Sequence, residues 1–189
     1  MSRKIKIRNV FRIDVPPEEN HEHYRDFEGR IPYGKNIFDA NGNLIGEDRY
    51  DDDGNLIGRM LYKYDENNWL VGEETYDETG ELEEKLSYER DDKGRILKKF
   101  VHYLDGSVDT MTYEYIGENL SRKVLFDEDG EIETEEKFTF DGDKLVKEER
   151  FDYGELIEKN EFKYDAQGNV VEAVMFKDEE TGKVVNEYN

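Results

Sequence analysis

The sequence contains no cysteine, which excludes both a disulfide framework and a thiolate metal site. It also has no apolar run that approaches the ~20 residues of a membrane span. The first fifteen residues, MSRKIKIRNVFRIDV, lack the apolar core of a secretory signal peptide. We therefore expect a cytoplasmic protein that makes no direct contact with a membrane.

Proline is almost absent as well. The three prolines are Pro16, Pro17 and Pro32, and none follows in the remaining 157 residues of the 189. Proline cannot donate a backbone hydrogen bond, so it is confined to the edges and ends of β-sheets. A long stretch without proline therefore suits continuous β-ladders.

Basic residues are scarce relative to acidic ones: 27 Lys and Arg stand against 49 Asp and Glu, for a net charge of −22. Residues 1–37 nevertheless carry eight basic and six acidic side chains, so the negative charge lies in residues 38–189. Such a surface repels nucleic acid directly and attracts a basic protein. A second interpretation is that the charge only keeps an exposed sheet soluble.

The sequence does contain a short motif that recurs along the chain, and we call this motif the phrase. Aromatic-Asp-x-x-Gly-x-aliphatic begins at Phe38, Tyr50, Tyr76, Phe126 and Tyr164, and variants fall between them. Successive phrases lie 11–14 residues apart, and taken in pairs they give a unit of about 25 residues. Asp can bond the backbone two residues on, and Gly three residues after it supplies a positive φ. Each phrase therefore predicts a hairpin turn.

The segments between the phrases are 6–9 residues long, alternating, and rich in aromatic and β-branched residues, for example RILKKFVHY. The prediction is an all-β protein: an antiparallel meander of about twelve strands made from ~25-residue double-hairpin repeats. The 13 Tyr and 10 Phe argue against disorder. Charges in the middle of the strands leave no dry core, so we expect a single-layer curled sheet or a wide open barrel.

Spacing also predicts which residues share a face. The aliphatic after one turn and the aromatic before the next are usually an even number apart, as in Leu56 and Tyr64, which places them on one side of a strand. Counted in this way, one polar inner face carries the candidate partner-binding residues, which are Asp48, Tyr62, Glu74, Glu84, Tyr88, Glu136 and Glu158. Odd spacings from Ile96 to Tyr103 and from Val108 to Tyr115 predict bulges there.

The N-terminal segment differs from the repeats. KIKIRNVFRIDV alternates apolar and basic residues and predicts a strand that covers the first edge of the array. Residues 16–34 read as a long polar loop. The predicted organisation is thus residues 1–37, a capping strand with a polar loop, and residues 38–189, the hairpin-repeat array.

The phrases YDDDGNL, YDENNWL, YDETGEL and YDAQGNV resemble the YD repeats of the RHS family, over roughly residues 38–176. The resemblance implies long antiparallel sheets, which in that family spiral into shells around a cargo. Neither a toxin domain nor an autoproteolytic core is visible in this chain. The two-turn unit is also similar to the MORN-type repeats of some bacterial antitoxins, although the glycine pattern of MORN repeats is missing.

No motif for catalysis is present, and we expect no enzyme activity, cofactor or metal. His21, Glu22, His23 and Asp26 read as a solvated loop, and the DDDGN and DEDGE stretches lack the spacing of a calcium loop. The function expected is non-enzymatic binding of a basic protein, as an immunity or antitoxin-like inhibitor or as a chaperone of a basic effector. Alternatives are a nucleic-acid mimic and a ligand-binding or enzymatic shell that uses the polar inner face. Exposed sheet edges leave homo-oligomerisation open.

Overall fold

The computed structural model describes residues 5–12, 30–177 and 180–185, and every regular element in them is a β-strand. No segment there forms a helix long and apolar enough to cross a membrane. The fourteen strands are β1 Lys6–Arg12, β2 Ile31–Phe38, β3 Leu44–Tyr50, β4 Leu56–Tyr64, β5 Leu70–Tyr76, β6 Leu82–Arg90, β7 Ile96–His102, β8 Val108–Ile116, β9 Asn119–Phe126, β10 Ile132–Asp141, β11 Lys144–Asp152, β12 Glu155–Tyr164, β13 Val170–Lys177 and β14 Glu180–Val185.

The strands follow one another in a single antiparallel meander, in the order of the chain. Twelve of them, β3–β14, lie in the predicted array, so the predicted fold class is confirmed. The order is linear, with β1 and β14 as the outer strands of the described part, which agrees with an open sheet and not with a closed barrel.

The N-terminal prediction needs one correction. The basic strand exists as β1, but it pairs with β2, which begins at Ile31, inside the predicted loop of residues 16–34. Pro32, at the second position of β2, lies where the β1–β2 register shifts, and proline is tolerated at such irregularities. Residues 13–29 lie outside the described residues.

Seven turns show the predicted chemistry. In each, the backbone N–H of the leading Asp donates to the carbonyl of the residue four places on, and the residue three places on donates its N–H to the Asp carbonyl. In the turn that starts at Asp77, the carboxylate Oδ1 accepts from the backbone N–H groups of Thr79 (2.8 Å) and Glu81 (2.8 Å), while Gly80 has φ 86°. Asn68 takes the glycine position of the Asp65 turn with φ 63°. The leading residues are Asp39, Asp51, Asp65, Asp77, Asp91, Asp127 and Asp165.

Most turns are followed by a one-residue bulge. Tyr50 pairs with Leu56 while Arg49 pairs with Gly58, which leaves Ile57 as an extra residue at the second position of β4. The same shift follows the turns into β3, β5, β6, β9, β10, β11, β12 and β13. Odd spacing predicts bulges from Ile96 to Tyr103 and from Val108 to Tyr115. The pairing of β7 with β8, which joins these two segments, shows no register shift. The register within β8–β9 shifts as it does elsewhere, between Glu114 and Tyr115.

Contacts divide the chain into two compact units, residues 1–87 with 103–105 (unit 1) and residues 88–102 with 106–189 (unit 2). The predicted division at residues 37 and 38 stays a prediction. Within the described residues only two side chains larger than hydrogen are buried. They are Asp48 in unit 1, 3% exposed, and Val124 in unit 2, 1% exposed. The sheet is therefore thin, as the charge content implied.

Candidate binding surfaces

The seven predicted site residues do not share one face. In unit 1, Asp48 pairs directly with Arg59, whereas Tyr62 pairs with Glu73, which lies beside Glu74 on β5 and points the opposite way. Residues paired across antiparallel strands lie on the same face. Asp48 and Glu74 therefore occupy one face, and Tyr62 and Glu84 occupy the other.

The reason is the bulge after each turn. A one-residue shift exchanges the faces of all residues beyond it. Residues at an even distance from the first aliphatic residue of their strand therefore lie on one face of the sheet in β3 and β5, and on the opposite face in β4 and β6. The single inner face predicted from spacing is wrong, although the partner-binding role of these residues stays a prediction. Tyr88 lies four residues after Glu84 on β6 and points to the same side.

In unit 2 the structure brings two predicted residues together. Glu136 and Glu158 both pair with Arg150, on the two sides of β11, so all three lie on one face. That face also carries Phe138, because Phe138 is two residues beyond Glu136. Lys123 donates to Glu136 at 2.9 Å. These carboxylates are therefore partly neutralised by cations within the sheet.

We call the face of unit 1 that carries Asp48 its ion-pair face. Asp48 accepts from Nε of Arg59 at 2.6 Å and from Nζ of Lys35 at 3.4 Å, and these are its two directly paired neighbours in the sheet. Burial alone would raise the pKa of Asp48, but the hydrogen bond and charge of Arg59, with those of Lys35, outweigh it and hold the pKa below its usual value. Asp48 is thus an ionised structural group.

Glu74 forms the second acidic centre of this face. Lys63 forms an ion pair with it, and the Tyr76 hydroxyl donates to its Oε2 at 3.0 Å. The Lys63 hydrogen bond lowers the pKa of Glu74 although partial burial opposes it. Both predicted residues on this face therefore have their carboxylates engaged inside the protein.

Unit 2 has a corresponding ion-pair face, built on Val124 and its neighbours. Arg122 bridges Glu114 (2.8 Å) and Glu135 (2.6 Å), and Lys137 also reaches Glu135 at 3.0 Å. Farther along, Glu172 lies between Lys163 (2.8 Å) and Lys183 (2.6 Å). Two further pairs on this face are Lys147–Glu149 and Lys159–Glu161. The five carboxylates of these pairs are thus matched by six cations, so the pairs add almost no net charge.

Exposed negative charge also recurs in the turns, and spacing arguments about strand faces missed it. The residue directly after the leading Asp is exposed in all seven Asp turns and is acidic in five of them. These five are Asp52, Glu66, Glu78, Asp92 and Glu128. Among the ion pairs that join residues described by the structure, Asp52 alone of these five takes part, with Arg12. The signal was available in the sequence as the recurring acidic residue that follows the phrase's Asp.

Neither metal chemistry nor an enclosed active site is evident in the part of the chain that the structure describes. No group of three or more His, Asp or Glu there is placed to hold a metal ion. The residues His21, Glu22, His23 and Asp26 lie outside the described residues. A cavity of about 480 Å³ between two turns is lined by Asp39, Asn41, Asp65 and Asn68, but the side chains of Asp39 and Asn68 already bond to neighbouring turn residues.

Comparison with known proteins gives likeness of fold alone. No family model and no curated protein matches the chain. Among solved structures, the chain is similar to TcdB2-TccC3 without its hypervariable C-terminal region, with 13% identity and a TM-score of 0.49 over 84% of this chain and 10% of that one. It is also similar to a porin-like protein from Bacteroides uniformis, with 12% identity and a TM-score of 0.41 over 95% of this chain and 92% of that one. The chain spans about a tenth of the first structure's length, and neither likeness assigns it to a family.

Proposed function

We propose that this chain is a non-enzymatic binding protein that recognises a basic protein through the exposed carboxylates of its hairpin turns. One observation supports this proposal above the others. Seven carboxylates of the two ion-pair faces are matched by nine Lys and Arg side chains, so the net charge of −22 has to reside mainly elsewhere, and exposed acidic residues recur at the turns.

A turn edge is well suited to this role. The turns recur at short, regular intervals, and the leading Asp of each is engaged in hydrogen bonds within the turn itself. The next residue is left to face solvent on a rigid support, so exposed carboxylates are presented at the ends of the strands at low entropic cost. We propose a basic effector, which the chain inhibits or escorts, as the partner class.

The experiment compares two variants of equal charge change. The turn variant is Glu66→Gln, Glu78→Gln and Glu128→Gln, and the strand variant is Glu84→Gln, Glu136→Gln and Glu158→Gln. Each chain is tagged and used to capture proteins from its native lysate, and the identified partner is then titrated at low and at high salt. We expect one stoichiometric basic partner, weakened by salt, and an affinity about tenfold lower for the turn variant alone.

Two results would overturn the proposal. Capture of no basic protein at either salt would remove the partner. Equal losses in the two variants, or a larger loss in the strand variant, would move the interface from the turns to the strand faces. If nucleic acid competes for the captured partner, the chain acts as a nucleic-acid mimic in that complex.

A further inference from the structure

Unit 1 contains a cavity whose charge is opposite to that of the molecule as a whole. It has a volume of about 550 Å³ and lies over β1, β2 and β3, with β4 at one side. Its wall includes Arg8, Tyr33, Asn36, Arg49 and Tyr50. This volume falls within the range of small-molecule sites, roughly 300–1,000 Å³.

The register places the polar groups of this cavity on one face. Arg8 pairs with Asn36, Asn36 pairs with Glu47, and Gly34 pairs with Arg49. This is the face opposite to Asp48, since Arg49 and Glu47 flank Asp48 on β3. The groups therefore converge on one opening from three adjacent strands.

Gly34 forms the floor. It has no side chain, and a Cβ added to it would lie 3.8 Å from Cβ of Val10 and 3.9 Å from the carbonyl oxygen of Asp48. Both are ordinary contact distances, so no close packing demands glycine here. The missing side chain instead leaves room between Val10 and Arg49, the residues that pair with Gly34 on its two sides.

The two guanidinium groups are available. Arg8 and Arg49 are exposed, and neither forms an ion pair within the described residues, whereas Arg59 and Arg122 are bonded to carboxylates. Two unpaired arginines on one wall are notable in a chain with a net charge of −22, where carboxylates are plentiful. Guanidinium groups bind carboxylate and phosphate oxygens through short, charge-assisted hydrogen bonds.

We propose that this cavity binds a small organic oxyanion, a carboxylate or phosphate attached to an aromatic or apolar body. Arg8 and Arg49 hold the oxyanion, and Asn36 supplies an amide donor. Tyr33, Tyr50 and Ile57 form the apolar wall for the body of the ligand. Glu47, also on the wall, opposes a purely anionic ligand and favours one that carries a hydrogen-bond donor as well.

The test uses benzoate and phenyl phosphate as probes of the full chain. NMR follows the side-chain Nε–H signals of arginine during titration at low salt. We expect saturable shifts for Arg8 and Arg49 and none for Arg150, an exposed arginine of unit 2 that serves as the internal control. Saturation by phenyl phosphate alone assigns the site to phosphates, and saturation by benzoate alone assigns it to carboxylates.

Variants then locate the site. Arg8→Gln and Arg49→Gln should each weaken binding about tenfold, the effect of losing one charge-assisted hydrogen bond. Gly34→Val should occlude the floor, Glu47→Gln should strengthen binding, and Arg150→Gln should change nothing. Absence of saturable shifts with either probe would overturn the proposal. So would equal shifts at Arg150, or wild-type binding by both cavity arginine variants. Because the probes are small molecules, these outcomes are independent of whether a basic protein partner is found.

Discussion

Asp48 of unit 1 and Val124 of unit 2 occupy the same position of the repeat, four residues after the leucine that begins the apolar pattern of the strand, Leu44 or Leu120. Both are almost completely buried, at 3% and 1% exposure. One is a charged carboxylate and the other is an aliphatic side chain. Burial at this position is thus compatible with either side chain, and the chemistry of the side chain matches its neighbours.

The neighbours differ accordingly. Asp48 lies between Lys35 and Arg59, and both bond to it. Val124 lies between Thr112 and Glu135, and Glu135 directs its charge to Arg122 and Lys137. The repeat therefore tolerates a buried charge where two cations flank it, and it requires an apolar residue where a carboxylate is already adjacent.

Replacing the apolar side chain of Val124 with a carboxylate should have the largest effect on stability. Val124→Asp places a carboxylate at a buried position directly opposite Glu135, where Arg122 and Lys137 are already paired with Glu135. We expect a loss of about 4 kcal/mol or more in the free energy of unfolding of unit 2. Hydrogen exchange of the amides of β9 and β10 measures the loss.

Val124→Thr is the matched control, because it keeps the shape and adds only a hydroxyl. We expect it to cost about 1–2 kcal/mol. If Val124→Asp costs no more than Val124→Thr, the neighbours do not determine which residue this position accepts.

Removing Arg59 should have the next largest effect. Arg59→Met leaves Asp48 buried with only Lys35, at 3.4 Å, so we expect a loss of about 3 kcal/mol, which urea unfolding followed by Trp69 fluorescence measures. Asp48→Val should cost less, about 1 kcal/mol, because the cations it leaves behind are half-exposed and remain solvated. Equal losses in the two variants would contradict the view that the uncompensated buried charge is the cost.

The turns allow the same kind of comparison between adjacent acidic residues. Asp77→Ala removes the acceptor for Thr79 and Glu81, and we expect it to lower the urea midpoint of unfolding clearly. Glu78→Ala, one residue on, removes an exposed charge, and we expect a change within about 0.5 kcal/mol. Urea unfolding at neutral pH compares the two. A large loss in Glu78→Ala would mean that the residue after the leading Asp also has a structural role.

The turns could be predicted from the sequence, but the face of the sheet on which each strand residue lies could not. Asp77, Gly80 and their equivalents form the turns that the phrase indicated, since this chemistry is local. The face of Tyr62 relative to Asp48 depends on Ile57, the extra residue of a bulge, and nothing in the phrase distinguishes a bulged residue from a paired one. The available arginines of the cavity depend on strand register in the same way, because Arg8 and Arg49 are 41 residues apart in sequence.

Glu172 should show the smallest effect, visible mainly in its pH dependence. Lys163 and Lys183 donate to it and lower the pKa of this carboxyl to about 2. Because the pKa is lower in the folded than in the unfolded chain, the pair stabilises the fold fully above pH ~4.5, and this contribution is lost as the pH falls toward 2. The stability difference between wild type and Glu172→Gln should shrink over that interval and with added salt.

A carboxyl NMR titration tests the cause directly. The midpoint of Glu172 should lie near 2 in the wild type and should move upward in Lys183→Met, which removes one of the two donors but keeps Lys163 directly opposite on β12. A wild-type midpoint at the ordinary glutamate value would mean that the ion pairs of this face do not persist in solution. The matched charges on the strands would then no longer distinguish the strand faces from the acidic turns.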